Sequence, residues 1–261
     1  LLKEKQYHFI SGLPRSGSTL LSSILSQNPK LYAGITSSIG ALTDSIIYTE
    51  FHGTNRNVNE THIKKLVKST FEIVYEDIDC DIIFDTNRGY TAQIDMLVDI
   101  FPNTKFICCV RSICDILNSF ETLYRKKYYS PRSSVYGDRT GNIYGRCESL
   151  MEWGGVIGFS LNSLKQAIHS KHADHLYILE YDSLVSNTAE EINNIYNFLN
   201  LEPFEHNFDD IPQVPDGGCD IDANLPGLHD VRPTICKINN QMLIPNDILE
   251  RYSNMEYWRF L

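Results

Sequence analysis

Short apolar runs alternate along the chain with longer stretches whose apolar residues recur every three or four positions, the pattern of strands followed by amphipathic helices. Tyr7, His8, Phe9 and Ile10 predict a buried strand, and Leu20, Leu21, Ile24 and Leu25 lay one apolar face on a helix that runs to Gln27. Residues 31–38 read as a polar, glycine-containing crossing segment. Ile39, Leu42, Ile46, Ile47 and Phe51 predict a helix closed by Gly53, and Ile63, Leu66, Val67, Phe71, Val74 and Tyr75 predict another, capped by Asn59 or Thr61. Residues 81–85, 105–110 and 175–181 read as three more strands, each followed by a helical pattern. Residues 128–145 form a long polar and aromatic loop, either a lid over a site or a mobile connection. A helical stretch over 144–170 is eased by Gly154, Gly155 and Gly158, and beyond Pro203 the periodicity gives way to wrapping loops. Strand and helix alternating in this way predict an α/β fold of three layers, with a central, mainly parallel sheet flanked by helices. At 261 residues, one domain over 1–261 accounts for the chain.

Composition narrows the chemistry. The formal net charge of −10 repels nucleic acid and anionic membrane surfaces, so any anion site has to be local. An odd number of cysteines, seven, without C-x-x-C spacing fits reduced thiols in a cytoplasmic protein. No apolar run approaches the roughly 18 residues of a membrane span, and no metal-ligand spacing stands out among the histidines and acids.

The most informative stretch joins the first strand to its helix: Gly12-Leu13-Pro14-Arg15-Ser16-Gly17-Ser18-Thr19. A loop turning directly into a helix aims unpaired backbone N–H groups and the positive end of the helix dipole at one point. Two glycines permit close approach, three hydroxyls add donors and Arg15 adds a charge. The spacing is that of the nucleotide-binding loop G-x-x-x-x-G-K-[ST], with Ser18 in the lysine position, which places the chain in a P-loop-type fold but weakens an ATP-hydrolysing reading.

Pro14-Arg15-Ser16-Gly17-Ser18-Thr19 resembles the 5′-phosphosulfate loop, P-[KR]-S-G-[ST]-[ST], of sulfotransferases that use 3′-phosphoadenosine 5′-phosphosulfate (PAPS). A second match follows the third strand, where Arg111 and Ser119 keep the spacing of the family's R-x-P-x-x-x-x-x-S element for the 3′-phosphate, with Ile113 in place of the proline. Tyr181 resembles the nucleotide-proximal tyrosine of the family's Y-[DE]-x-L-V element, and Arg232 resembles the cation that tyrosylprotein-type members bring on a C-terminal loop. The resemblance implies a bacterial-type soluble enzyme of one domain that binds PAPS through Arg15, Ser16, Gly17, Ser18, Thr19, Arg111, Ser119, Tyr181 and Arg232. It implies transfer of a sulfuryl group to the hydroxyl or nitrogen of a small-molecule acceptor such as a natural product, with adenosine 3′,5′-bisphosphate leaving and no metal required.

Sulfuryl transfer spreads negative charge over the sulfuryl oxygens and the leaving oxygen, so positioned cations should dominate catalysis. The resemblance assigns that role to Arg15 and Arg88. A general base is harder to place. The family's histidine position falls on Asp85-Thr86-Asn87, and the glutamate position of tyrosylprotein-type members falls on Ile35-Thr36-Ser37. Asp85, at the expected edge of the second strand, and His52, near a helix end, are the candidates, with Glu50, Glu180 and His229 behind them. Two other classes fit part of the pattern. Asp85 after an apolar strand mimics the Mg²⁺-holding acid of a P-loop kinase, and the empty base positions fit a nucleotide-binding module without catalysis.

Overall fold

The computed structural model describes residues 5–52, 60–126, 141–213, 229–236 and 241–260, with side chains described only to Thr49 in the first segment. Five parallel strands form the sheet: β1 (Gln6–Gly12), β2 (Leu31–Thr36), β3 (Ile82–Thr86), β4 (Phe106–Val110) and β5 (Leu176–Glu180), in the order β2-β3-β1-β4-β5. From β1 the chain crosses to the edge at β2 and returns to β3 beside β1, then passes to the other side through β4 and β5. That reversal puts a topological switch point between the C-terminal ends of β1 and β4, where open parallel sheets bind ligands.

Because β1 lies at the centre, alternate residues enter two different cores. Tyr7 and Phe9 point to one face and Ile10 to the other, all buried. The first face is covered by α3 (Glu60–Val74), α4 (Ile94–Ile100), α5 (Ile113–Lys126), α6 (Ile143–Met151) and α7 (Val156–Ile168). Phe71 of α3 anchors it, its ring edge-on to Tyr7, Phe9 and Phe101 at centroid distances of 5.4, 5.7 and 5.3 Å. The second face is covered by α1 (Ser18–Leu25), α8 (Tyr181–Ser186) and α9 (Thr188–Phe198), through Leu21, Ile24, Leu184, Ile192 and Ile195. Cys108 and Cys109 sit back to back on β4, one in each core.

The sequence-based outline of a three-layer α/β fold with a parallel sheet holds, with two corrections. The crossing segment after α1 is β2, an edge strand: Leu31, Ala33 and Ile35 are buried and Thr36 is exposed. Gly34 masks the alternation, and the pairing with β3 shifts register between Ala33 and Thr36. The Gly34 carbonyl there accepts from the hydroxyls of Ser22 and Thr86, at 3.0 and 2.9 Å. The long helical stretch divides into α6 and α7, because Gly155 and Gly158 lie so close to the end of α6 that a Cβ would stand 2.2 Å from the Ser149 oxygen and 2.0 Å from the Glu152 oxygen. Most of residues 128–145 lie outside the described residues. The C-terminal stretch carries α10 (Asn246–Tyr252), with Ile248 buried in the first core. Among the described residues no helix is long and apolar enough to cross a membrane.

Candidate active site

The loop after β1 owes its path to two glycines. Gly12 has φ +100°, and a Cβ there would lie 2.3 Å from the Cys109 carbonyl oxygen, so only glycine lets β1 turn over β4 at this point. Gly17, at φ +93°, is the N-cap of α1, with the ring of Tyr181 close enough that a Cβ would meet it at 3.0 Å. Arg15 itself sits at φ 56°, a left-handed conformation costing an ordinary residue about 1–2 kcal/mol. Such strain gathers where a loop is shaped for a ligand. The Ser16 hydroxyl is buried and donates to the Pro14 carbonyl at 3.2 Å. The amides of Gly17, Ser18 and Thr19 find no backbone acceptor among the described residues, and they open α1 with its dipole.

β4 delivers the second cluster. Arg111, at its end, lays its guanidinium 4.3 Å from the centroid of the Tyr181 ring and holds Asp115 of α5 at 3.7 Å. Its Nε is buried without a hydrogen-bond partner. Ser119, two turns along α5, accepts a hydrogen bond from Arg15 Nε at 3.1 Å. The two sequence motifs therefore meet: Arg15 reaches Ser119, while one tyrosine ring touches both Gly17 and Arg111. Tyr181 opens α8 rather than closing β5, which is what turns its ring toward the loop.

β3 ends beside β1 with a different chemistry. Asn87 caps the 3₁₀ turn over Arg88–Gln93 by accepting from the Gly89 amide at 2.8 Å, and the Arg88 carbonyl accepts from Ser11 at 3.3 Å. Arg88 keeps an open surface, with no hydrogen-bond or ion-pair partner among the described residues, yet the surrounding protein desolvates its guanidinium and lowers its pKa. Asp85 does not face the crevice, a correction to its reading as a directly acting base. Its side chain points into the first core and is fully buried. Ser37 donates to its two oxygens at 2.7 and 2.9 Å, and the Tyr75 hydroxyl donates at 2.8 Å. Burial pushes its pKa up to about 6 against the pull of those hydrogen bonds. Sequence reasoning missed Ser37 and Tyr75; nothing but the strand character of β2 would have drawn Ser37 to Asp85.

His52 closes α2 (Ile39–His52), and its side chain, like that of Glu50, lies outside the described residues. Arg232 is exposed and contacts Cys236, its Nη1 3.6 Å from Sγ; no contact joins it to Arg15, Arg111 or Tyr181 among the described residues.

A parallel α/β sheet whose central strand runs into an amide-lined loop, with arginines at the ends of β1, β3 and β4, makes a crevice whose chemistry suits anions. The sulfotransferase family model matches residues 8–206, and the chain belongs to that family. Among solved structures it is similar to the sulfotransferase domain of the olefin synthase of Synechococcus PCC 7002, at 17% identity over 95% of this chain and 94% of that one, with a TM-score of 0.54. It is similar to the sulfotransferase domain from the curacin biosynthetic pathway, at 20% identity over 77% and 75% with a TM-score of 0.52. It is also similar to a retinol dehydratase solved with retinol and PAP, at 13% identity over 95% and 79% with a TM-score of 0.55. No curated protein matches the chain significantly in sequence. Membership of this family sets aside the kinase reading.

Proposed function

We propose that the protein moves a sulfuryl group from PAPS to a hydroxyl or nitrogen of a small-molecule acceptor and releases adenosine 3′,5′-bisphosphate. The observation that carries the reading is the meeting of two anion sites across the switch point, the 12–19 loop and the Arg111–Ser119 pair, joined by the Arg15–Ser119 hydrogen bond. A nucleotide with phosphates at two positions requires two such sites. The residues fit it: acceptorless amides at Gly17, Ser18 and Thr19 suit a phosphosulfate, and the guanidinium of Arg111, whose buried Nε makes no hydrogen bond and meets Asp115 only at 3.7 Å, suits a 3′-phosphate.

In this reading Ser16, Gly17, Ser18 and Thr19 bind the 5′ end, Arg111 and Ser119 the 3′-phosphate, and Tyr181 orients both by packing against Gly17 and Arg111. Arg15 and Arg88 meet the charge that builds on the reacting group. Arg232 is assigned to the nucleotide as an outer cation. Bound PAPS supplies a sulfuryl group already joined to a good leaving group, and the chain's part is to hold, orient and neutralise. The similarity to a retinol dehydratase that binds retinol and PAP, and to a sulfotransferase domain of the curacin pathway, supports PAPS use and a small, natural-product-like acceptor. Incubation with ³⁵S-labelled PAPS tests the reading: label should leave the nucleotide while adenosine 3′,5′-bisphosphate accumulates. PAPS recovered intact under conditions where the protein is folded would refute it.

A further inference from the structure

The chain holds a carboxylate that cannot touch an acceptor and a hydroxyl that can, joined to each other. Asp85 is fully buried, whereas Ser37 is half-buried, at the C-terminal edge of the sheet between exposed Thr36 and Ser38. A serine hydroxyl has one proton to give and two lone pairs to accept with. At Ser37 the proton goes to Asp85, and one lone pair takes the amide of Ile39 at 3.1 Å, at the start of α2. The Tyr90 hydroxyl lies beside Ser37 and Asp85 but meets neither in hydrogen-bond geometry, so one acceptor position of Ser37 remains. Ser37 is itself held by its amide, which donates to the Thr86 carbonyl at 3.3 Å, and the start of α2 is seated on Asn87, whose Nδ2 would lie 2.2 Å from a Cβ at Gly40.

We propose that Ser37 is a catalytic residue and that, resting on the PAPS reading above, it relays the acceptor's proton to Asp85. The acceptor O–H donates to the free lone pair of Ser37 Oγ. As the acceptor oxygen forms its bond to sulfur and the bond from sulfur to the phosphate oxygen breaks, the acceptor proton passes to Ser37 Oγ and the Ser37 proton passes to Asp85. Ser37 ends as it began, Asp85 is neutral, and the leaving phosphate carries the electron pair. Asp85 later returns the proton to solvent by the same path.

Two features support this. β2 and β1 are two strand spacings apart, about 10 Å, which leaves room for a sulfuryl group on the 12–19 loop and an attacking oxygen beside Ser37. The groups around Asp85 are neutral: Ser37 from the end of β2 and Tyr75 from α3 donate to it, and the Thr86 backbone and the unbonded Tyr90 hydroxyl lie beside it. No cation is among the groups acting on it, so it is free to take up a proton near neutral pH, where a base of this pKa works well.

The test combines turnover with two measurements on the free enzyme. PAPS with water as the only acceptor is the probe, read as adenosine 3′,5′-bisphosphate release, beside calorimetric binding of the bisphosphate and an infrared titration of the buried carboxyl. Ser37→Ala and Asp85→Asn should each lower kcat about 100-fold, the scale of general-base catalysis, with bisphosphate affinity within 3-fold of wild type (about 0.7 kcal/mol). Ser37→Thr should restore much of the loss. Tyr75→Phe removes a hydrogen bond from the side of Asp85 away from the relay. It should keep kcat within a few-fold while moving the acid limb of the pH profile, and the carboxyl midpoint in the infrared, upward together. Wild-type turnover in Ser37→Ala, or a loss of bisphosphate affinity as large as the loss of kcat, would overturn the relay. Wild-type protein that binds the bisphosphate but never releases it from PAPS would instead overturn the transfer reading itself.

Discussion

Replacing Arg111 with alanine should weaken adenosine 3′,5′-bisphosphate binding far more than replacing Arg88. The Arg111 side chain is only 17% exposed, and it is held by the Tyr181 ring at 4.3 Å and by Asp115 at 3.7 Å. A unit charge about 4 Å from a phosphate charge is worth about 4 kcal/mol at an effective dielectric constant of 20. Asp115 already takes part of that field and solvent screens more, leaving about 2–3 kcal/mol, or roughly 30- to 150-fold in Kd. Arg88 has an open surface but sits deep enough that desolvation lowers its pKa; because it is assigned to the sulfuryl group and not to the bisphosphate, its removal should cost under about 1 kcal/mol in bisphosphate affinity, roughly 5-fold or less. Arg111→Lys keeps the charge but loses the planar stack on Tyr181 and should fall between the two. Isothermal titration calorimetry on the three variants decides the matter, with thermal unfolding confirming that each is folded. Equal losses for Arg111→Ala and Arg88→Ala would refute the assignment of separate roles.

Gly12→Ala forces a side chain to within 2.3 Å of the Cys109 carbonyl at φ +100°; conformational strain and clash together should cost more than about 3 kcal/mol, read as a lower midpoint in urea, and a loss under about 1 kcal/mol would contradict the close approach. Phe71→Ala empties the centre of the aromatic cluster on the first face and should destabilise by about 3–5 kcal/mol in the same assay, with a surface-like loss of half a kcal/mol counting against the packing. Asp85 binds its proton more tightly when folded than when unfolded, since its pKa rises from 3.8 to about 6. Its ionisation therefore lowers stability as pH rises between about 4 and 6, and a gap of two pH units corresponds to about 3 kcal/mol. Asp85→Asn lacks that dependence, so the variant should gain on wild type across this window in thermal unfolding; parallel curves would show that Asp85 is not a buried titrating group.

Where one residue's neighbours in sequence decide its environment, the sequence alone revealed a good deal. The apolar runs that became β1, β3 and β4 are buried on both faces and so read plainly as strands, as did the apolar run of β5 at the edge, and the parallel sheet followed from the helices between them. β2 does alternate, with Leu31, Ala33 and Ile35 inward, but the run is only six residues long, holds Gly34 and shifts register against β3, which disguised it as a crossing segment. The loop 12–19 and the Arg111–Ser119 spacing were visible because each lies within one strand–turn–helix unit. That Arg15 would reach Ser119, 104 residues away, was not. Asp85 shows the opposite limit. The end of an apolar strand marked it for the crevice, but strand alternation turns it inward with Tyr7, Phe9 and Ile83, onto partners supplied by β2 and α3.

The most direct measurement is a calorimetric titration, without Mg²⁺, of adenosine 3′,5′-bisphosphate, ATP and adenosine 5′-phosphate against the full chain. Two anion sites spanning the switch point predict tight binding of the 3′,5′-bisphosphate and little of the other two. A preference for ATP, or no binding of the bisphosphate by folded protein, would contradict the account.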